Sequence, residues 1–111
     1  LVSPGYPRSY PPNSFCYWHL SLPSGYRPHL RLVAPFSIEE TPGCLLDFLD
    51  IFDTDTSLRL DRICGSHDSG ERVFTASLNS MTLVFVSDVH IGGDGFQAIW
   101  DAGLSDKWTV N

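Results

Sequence analysis

Short runs of alternating apolar and polar residues, separated by turn sequences, restrict how this chain can fold more than any other feature. The apolar positions of these runs are Trp18, Leu20 and Leu22; Leu30, Leu32 and Ala34; Leu49 and Ile51; Val84 and Val86; and Phe96, Ala98 and Trp100. Alternation with a period of two is typical of a β-strand that buries one face. Glycine and proline recur between the runs, as they do in the turns of antiparallel sheets. The pattern predicts an all-β fold, a two-sheet antiparallel β-sandwich of the jelly-roll type.

Two of the runs, which begin at Phe48 and Met81, are apolar on both faces. We expect these two strands to be central in their sheets, because a central strand can be buried on both sides. The alternation is lost near residue 100 of the 111. We therefore expect one domain over residues 1–100 and a C-terminal extension or linker over residues 101–111.

The chain is acidic, with seven Lys and Arg against thirteen Asp and Glu and a net charge of −6. Nucleic-acid binding depends on basic side chains that contact phosphates, and anionic membrane surfaces repel an acidic domain. The most apolar run, Met81–Ser87, is much shorter than the roughly 18 residues that span a bilayer. We expect no nucleic-acid partner and no membrane insertion, and an affinity for cations or basic protein surfaces.

Three acidic residues stand beside the most apolar parts of the sequence. Glu39 follows Ile38, and Asp47 precedes Phe48. Asp88 ends the most apolar run. A carboxylate beside a core costs on the order of several kcal/mol unless a cation, hydrogen bonds or solvent compensate it. None of the seven Lys and Arg is adjacent to these positions in the sequence.

A hard divalent cation would compensate all three carboxylates at once. Calcium binds six to eight oxygens from carboxylates, carbonyls and waters, whereas magnesium requires a tighter octahedral arrangement. The three carboxylates and the main-chain carbonyl of His90 or Ile91 would supply most of a calcium shell. When only the spacing is considered, the alternative to a calcium site is that the three acids are solvated at strand ends and bind no metal.

The three cysteines, Cys16, Cys44 and Cys64, have spacings that fit no zinc-binding pattern. One disulfide with one cysteine left over is the simplest explanation. Three free thiols in a cytosolic protein are the alternative.

Two segments resemble parts of catalytic motifs. The DTS triplet at residues 55–57 is similar to that of aspartic proteases, but their chemistry needs two such carboxylates at one site. The HDSG segment at residues 67–70 places potential triad residues side by side in a polar stretch, whereas a triad converges in space. We expect both segments to be turns and the chain not to be an enzyme.

At the acidic and cysteine positions the sequence resembles the CUB domain, a module of complement proteases, tolloid-type proteases, neuropilins and cubilin. The motifs that carry the resemblance are SPGYP at residues 3–7, Tyr10-Pro11, CYW at 16–18, CLLD at 44–47, Cys64-Gly65, Ser87-Asp88 and Gly95-Phe96. They occur in the family's order over about residues 1–100. The resemblance implies a two-sheet antiparallel β-sandwich, in which the family's first strand is missing here.

The resemblance also implies how the cysteines pair. Cys44 would form a disulfide with Cys64, and Cys16 would pair with a cysteine outside this chain. The absence of that cysteine from the sequence is the main departure from the family pattern.

Many CUB domains hold Ca²⁺, and the resemblance assigns its ligands to Glu39, Asp47 and Asp88. It also implies that Tyr10 hydrogen-bonds to the site. Family members that hold a lysine of their partner often have tyrosine just before the second ligand, where this chain has Leu46. That difference weakens one contact to a partner's cation and leaves the calcium ligands in place.

The function that follows is an extracellular, calcium-dependent protein-binding module of a larger secreted or cell-surface protein. Its partner would place a Lys or Arg near the calcium, where Glu39, Asp88 and Tyr10 could contact it. Neighbouring domains of the same parent protein are the other expected partners. The alternatives are a structural spacer in which calcium only stabilises the fold, and a non-catalytic domain of an extracellular protease.

Overall fold

The computed structural model describes residues 1–90 and 92–104, which form an antiparallel β-sandwich of two sheets. The strands are β1 (Phe15–Ser21), β2 (Tyr26–Ile38), β3 (Phe48–Asp53), β4 (Leu58–Ile63), β5 (Gly65–His67), β6 (Glu71–Thr75), β7 (Ser80–Val86) and β8 (Gly95–Leu104). A single 3₁₀ turn at Pro42–Cys44 is the only helical element among the described residues. The predicted all-β sandwich is confirmed.

The first sheet has the strand order β1-β7-β3-β4, so the strands that begin near Phe48 and Met81 are its two central strands. This confirms the prediction from their apolar faces. Phe48 pairs with Val86, and that register brings the start of β3 next to the end of β7. Any side chains that flank these two ends in the sequence must lie close together.

The second sheet is built around β2, the longest strand. Along most of its length β2 pairs with β8, and two separate stretches pair with β5 and β6. The pairing with β8 shifts register between Val33 and Ser37, close to the end of β2 at Ile38.

The first residues of the chain lie along β8. Leu1 and Ala98 exchange two main-chain hydrogen bonds of 3.0 and 2.8 Å, and Val2 forms a bridge with Gln97. β8 continues to Leu104, four residues beyond the predicted domain end at residue 100. Where the domain ends stays a prediction, because residues 105–111 lie outside the described part of the chain.

The core between the sheets contains a row of aromatic rings that ends at Tyr10. Phe85 contacts Tyr10 edge-on, with ring centroids 4.9 Å apart, and packs against Phe96 at 5.2 Å. All three residues are buried. Because its ring is fixed in the core, Tyr10 presents its hydroxyl at a defined position.

Cys44 and Cys64 form a disulfide. It joins the 3₁₀ turn to the residue between β4 and β5 and holds the loop that leads to Asp47. Cys16 is a half-buried thiol, and burial raises its pKa. Its pairing with a cysteine outside this chain stays a prediction.

None of the described residues forms a helix with the length and hydrophobicity that a membrane span requires.

Candidate metal centre

The three acids singled out in the sequence lie at the ends of three strands. Glu39 directly follows β2, Asp47 directly precedes β3, and Asp88 comes two residues after β7. One carboxylate oxygen from each lies within 4.8 Å of the others. The fold therefore brings together three charges that are up to 49 positions apart in the chain.

Asp47 is completely buried and forms the base of the site. Its Oδ2 accepts a hydrogen bond of 2.6 Å from the Tyr10 hydroxyl, and its Oδ1 accepts one of 2.8 Å from the main-chain N–H of Asp88. The Tyr10 hydroxyl in turn accepts a hydrogen bond of 3.0 Å from the main-chain N–H of Glu39. Asp47 and Tyr10 thus link the backbones of the other two acidic residues.

The loop that carries Asp88 is fixed by main-chain contacts. The main-chain N–H of His90 donates to Asp88 Oδ1 at 3.0 Å, and the N–H of Asn13 donates to the Asp88 carbonyl at 2.7 Å. Ser87 is buried, donates its hydroxyl to the Pro11 carbonyl at 2.9 Å, and accepts from the N–H of Ser14. The sequence reasoning missed this role of Ser87, although the Ser-Asp pair was among the motifs noted.

Two glycines allow the following loop to pack against the site. A Cβ on Gly92 would lie 2.2 Å from the Tyr10 hydroxyl, and one on Gly93 would lie 2.3 Å from the Ser37 carbonyl oxygen. Any side chain at either position would displace the Tyr10 hydroxyl or the end of β2. The sequence showed only a glycine-rich turn here.

Glu39 is the acid with the least compensation. Its Oε1 is buried and has no hydrogen-bond partner. Burial and the neighbouring charges of Asp47 and Asp88 raise the pKa of its carboxyl above the ordinary value, while His90 acts to lower it. The site resists ionisation of Glu39 when no cation is present.

Other buried acids show how this chain compensates a carboxylate without a metal. Asp50 forms two hydrogen bonds with the guanidinium of Arg62, at 2.7 and 2.8 Å. Asp53 accepts hydrogen bonds from the main chain and hydroxyl of Ser77. Among residues 1–90 and 92–104, no Lys or Arg forms such a pair with Glu39, Asp47 or Asp88.

The arrangement fits a calcium ion. All the donors are oxygens, their combined charge is −3, and one buried oxygen lacks a partner. The main-chain carbonyl of His90 stays a predicted ligand. That of Ile91 lies outside the described residues.

The Tyr10 hydroxyl provides a first test of this network. Burial and the hydrogen bond to Asp47 raise the pKa of Tyr10 to about 12, so the hydroxyl stays a donor at physiological pH. Tyr10→Phe leaves the Asp47 oxygen and the Glu39 N–H without this partner, and we expect unfolding in denaturant to show a loss of about 1–3 kcal/mol. Tyr17→Phe, at a 61% exposed ring, is the matched control. An equal, small loss in both variants would contradict the network.

The raised pKa of Glu39 predicts how calcium binding depends on pH. Calcium needs the carboxylate, so its affinity should fall as the pH drops through the raised Glu39 pKa, above the ordinary value of 4.5. In excess chelator no calcium is bound, and protonated Glu39 contributes to the stability of the folded state. This contribution is complete below the pKa that Glu39 has in the unfolded chain, and it is lost as the pH rises through the higher pKa of Glu39 in the folded state. The calcium-induced rise in melting temperature should therefore grow with pH across this window. A pH-independent rise in the wild type, or the same pH dependence in Glu39→Gln, would contradict the assignment.

The two segments considered for catalysis lie in separate exposed turns. Residues 55–57 are exposed in the turn between β3 and β4, and residues 68–70 are exposed between β5 and β6. Each segment is local, and neither forms part of the acidic cluster.

Comparisons with known proteins agree with this fold. A family profile described as "CUB domain" matches residues 1–100. The human tumor necrosis factor-inducible gene 6 protein is 40% identical over 97 residues, which cover 86% of this chain but only 34% of that protein. The CUB1-EGF-CUB2 domain of human MASP-1/3 superimposes with a TM-score of 0.88 at 28% identity, covering 99% of this chain and 43% of that one.

A second solved structure is described as the MASP-1 CUB2 domain bound to Ca²⁺. It superimposes with a TM-score of 0.80 at 26% identity, and the match covers 92% of this chain and 89% of that one. The order of motifs, the two-sheet sandwich, the Cys44–Cys64 disulfide and the match over residues 1–100 agree with one another. The chain belongs to the CUB domain family.

Proposed function

We propose that this CUB domain is an extracellular protein-binding module that holds one calcium ion between Glu39, Asp47 and Asp88 and uses it to bind a Lys or Arg of its partner. The observation that carries the proposal is the convergence of three carboxylates with no basic partner among the described residues and one buried, unpaired oxygen. CUB domains are generally non-catalytic interaction modules, and the relatives are extracellular multidomain proteins. This supports a secreted or cell-surface parent.

The charge balance of the site favours a basic partner. Three carboxylates and one calcium ion have a net charge of −1, so the occupied centre still attracts a cation. Oxygens that are not fully used by the metal can accept hydrogen bonds from an ammonium or guanidinium group. Each such charge-assisted bond contributes about 1.5–3 kcal/mol.

Calcium would also fix the surface before the partner arrives. Asp47 and Tyr10 already connect the loops of Glu39 and Asp88, and a shared ion would also hold the carboxylates of these two residues together. Because the loops are already ordered, less conformational entropy is lost when the partner binds, and the affinity is higher. Extracellular calcium sites have Kd values of about 10⁻⁴–10⁻³ M, so millimolar calcium would occupy much of such a site.

The complete burial of Asp47 also favours a second function, a spacer module in which calcium only stabilises the sandwich. In that case calcium would raise the melting temperature without creating a binding surface. The two functions differ in whether a basic side chain binds.

A minimal basic probe separates them. We expect acetyl-Ser-Lys-Ser-amide to shift the amide NMR signals of Asp88 and His90 in calcium, and to leave them unchanged in excess chelator. Asp88→Ala should abolish the shifts, and Asp55→Ala, which removes one exposed charge in the turn at the far end of β3, should retain them. A melting temperature raised by calcium without any shift from the probe would favour the spacer and contradict the binding proposal.

A further inference from the structure

Four large apolar side chains are exposed at the metal-centre end of the domain. Leu45 is 71% exposed, Leu46 45%, Val89 68% and Phe15 72%. We call these four residues the apolar rim. Exposed aliphatic and aromatic groups that gather at one place mark an interaction surface more often than isolated ones do.

Each member of the rim is a neighbour, along the chain or across the sheet, of a residue at the acidic centre. Leu45 and Leu46 directly precede Asp47, and Val89 directly follows Asp88. Phe15 is the first residue of β1 and pairs with Val86, two residues before Asp88. Two residues before Phe15, the main-chain N–H of Asn13 donates a hydrogen bond to the Asp88 carbonyl.

The fold does not need these side chains. None of the four belongs to the core or to the half-buried residues that pack against it. The loop of Leu45 and Leu46 is held instead by the disulfide of Cys44 and by the hydrogen bond from the Leu45 N–H to the Thr41 hydroxyl. The rim is therefore available to a partner.

We infer that the partner inserts a Lys or Arg flanked by apolar side chains, with the charge at the acidic centre and the apolar neighbours on the rim. The inference rests on the proposed function, since it names the chemistry around the basic residue which that function requires. It also gives Leu46 a role at a position where tyrosine would offer a polar contact.

Covering the rim would strengthen the contact at the centre. Apolar groups packed around an ion pair exclude water and lower the local dielectric constant, so attraction between the partner's cation and the acidic centre increases. Burial of two leucine side chains adds a favourable contribution of its own. A basic residue in a purely polar surface would gain neither effect.

Three tripeptide amides, each acetylated, test the inference by NMR titration of the full chain in calcium. Acetyl-Leu-Lys-Leu-amide should bind on the order of tenfold more tightly than acetyl-Ser-Lys-Ser-amide. Acetyl-Leu-Gln-Leu-amide, which is apolar but uncharged, should bind more weakly than acetyl-Leu-Lys-Leu-amide. Leu45→Ser and Val89→Ser should reduce the advantage of the leucine peptide, whereas Leu58→Ser and Leu78→Ser, at similarly exposed sites outside the rim, should not.

The outcomes separate this inference from the proposed function. Equal binding of the two lysine peptides would refute a role of the apolar rim in binding, but it would be consistent with calcium-dependent binding of lysine. Equal binding of the leucine peptides with Lys and with Gln also overturns the rim, because it shows general apolar adhesion. If neither lysine peptide binds in calcium, both proposals fail.

Discussion

Asp47→Ala is expected to abolish calcium binding and to lower the free energy of unfolding, measured in millimolar calcium, by about 3–5 kcal/mol. Asp47 is completely buried, and its two oxygens accept hydrogen bonds from the Tyr10 hydroxyl and the Asp88 N–H. Leaving the buried Tyr10 hydroxyl and the half-buried Asp88 N–H without partners costs about 1–1.5 kcal/mol each. Loss of a bound ion adds about 1–2 kcal/mol at a concentration several times its Kd.

The comparison with chelator divides this loss into its two parts. Part of the destabilisation should remain without calcium, because the orphaned hydrogen-bond donors do not depend on the metal. Calcium should stabilise the wild type and leave Asp47→Ala unaffected. Asp94→Ala, at an exposed acid outside the cluster, controls for the change in net charge. A variant that calcium still stabilises as much as the wild type would refute the assignment of Asp47.

Replacing both Cys44 and Cys64 by alanine is expected to lower the free energy of unfolding by about 3 kcal/mol. The disulfide closes a loop with a sequence separation of 20 residues, and the chain-entropy cost of that loop in the unfolded state sets the magnitude. For a domain of this size the melting temperature should fall by about 10 °C. Calcium affinity should also fall, because Cys44 anchors the loop that leads to Asp47.

Cys16→Ala is the control for the loss of a cysteine side chain. Cys16 is half-buried and forms no disulfide among the described residues, so its replacement should cost about 1 kcal/mol or less. Calorimetric melts of the three proteins provide the test. A double variant that melts no lower than Cys16→Ala would contradict the stabilising role of the disulfide.

The strands and their faces could be predicted from the sequence because they depend on local patterns. Alternation at Leu30 and Leu32 or at Phe96 and Ala98 reports directly which side chains are buried. The apolar character of both faces of β7 was enough to place it inside its sheet. In each case the information lies within a few neighbouring residues.

The meeting of the three acids could not be derived from such patterns. It depends on the register that pairs Phe48 with Val86 and on the path of β2, and both are set by packing between distant parts of the chain. Their positions beside apolar residues suggested Glu39, Asp47 and Asp88 as one set but left three separate solvated acids as an alternative, and the resemblance to the CUB family favoured the set. Asp50 shows why a buried acid does not by itself indicate a metal. It is also buried beside apolar residues, but it pairs with Arg62 on the neighbouring strand β4.

The supporting contacts were equally hidden. The Ser87 hydroxyl bonds a carbonyl 76 residues away, and the absence of a Cβ at Gly92 matters only because Tyr10 lies against it. The apolar rim looked like ordinary hydrophobic sequence until the exposure of Leu45 and Val89 was known. Side-chain direction in loops depends on tertiary contacts that no local periodicity reports.

Calorimetric titration of the chain with calcium shows whether Glu39, Asp47 and Asp88 bind the ion. We expect one calcium ion per chain, a Kd of about 10⁻⁴–10⁻³ M, and much weaker binding of magnesium. Glu39→Gln should weaken the binding by at least about tenfold, because it removes one charged ligand. Absence of calcium binding by the wild type at millimolar concentrations, or equally tight binding by Glu39→Gln, would show that these three acids do not form a calcium site.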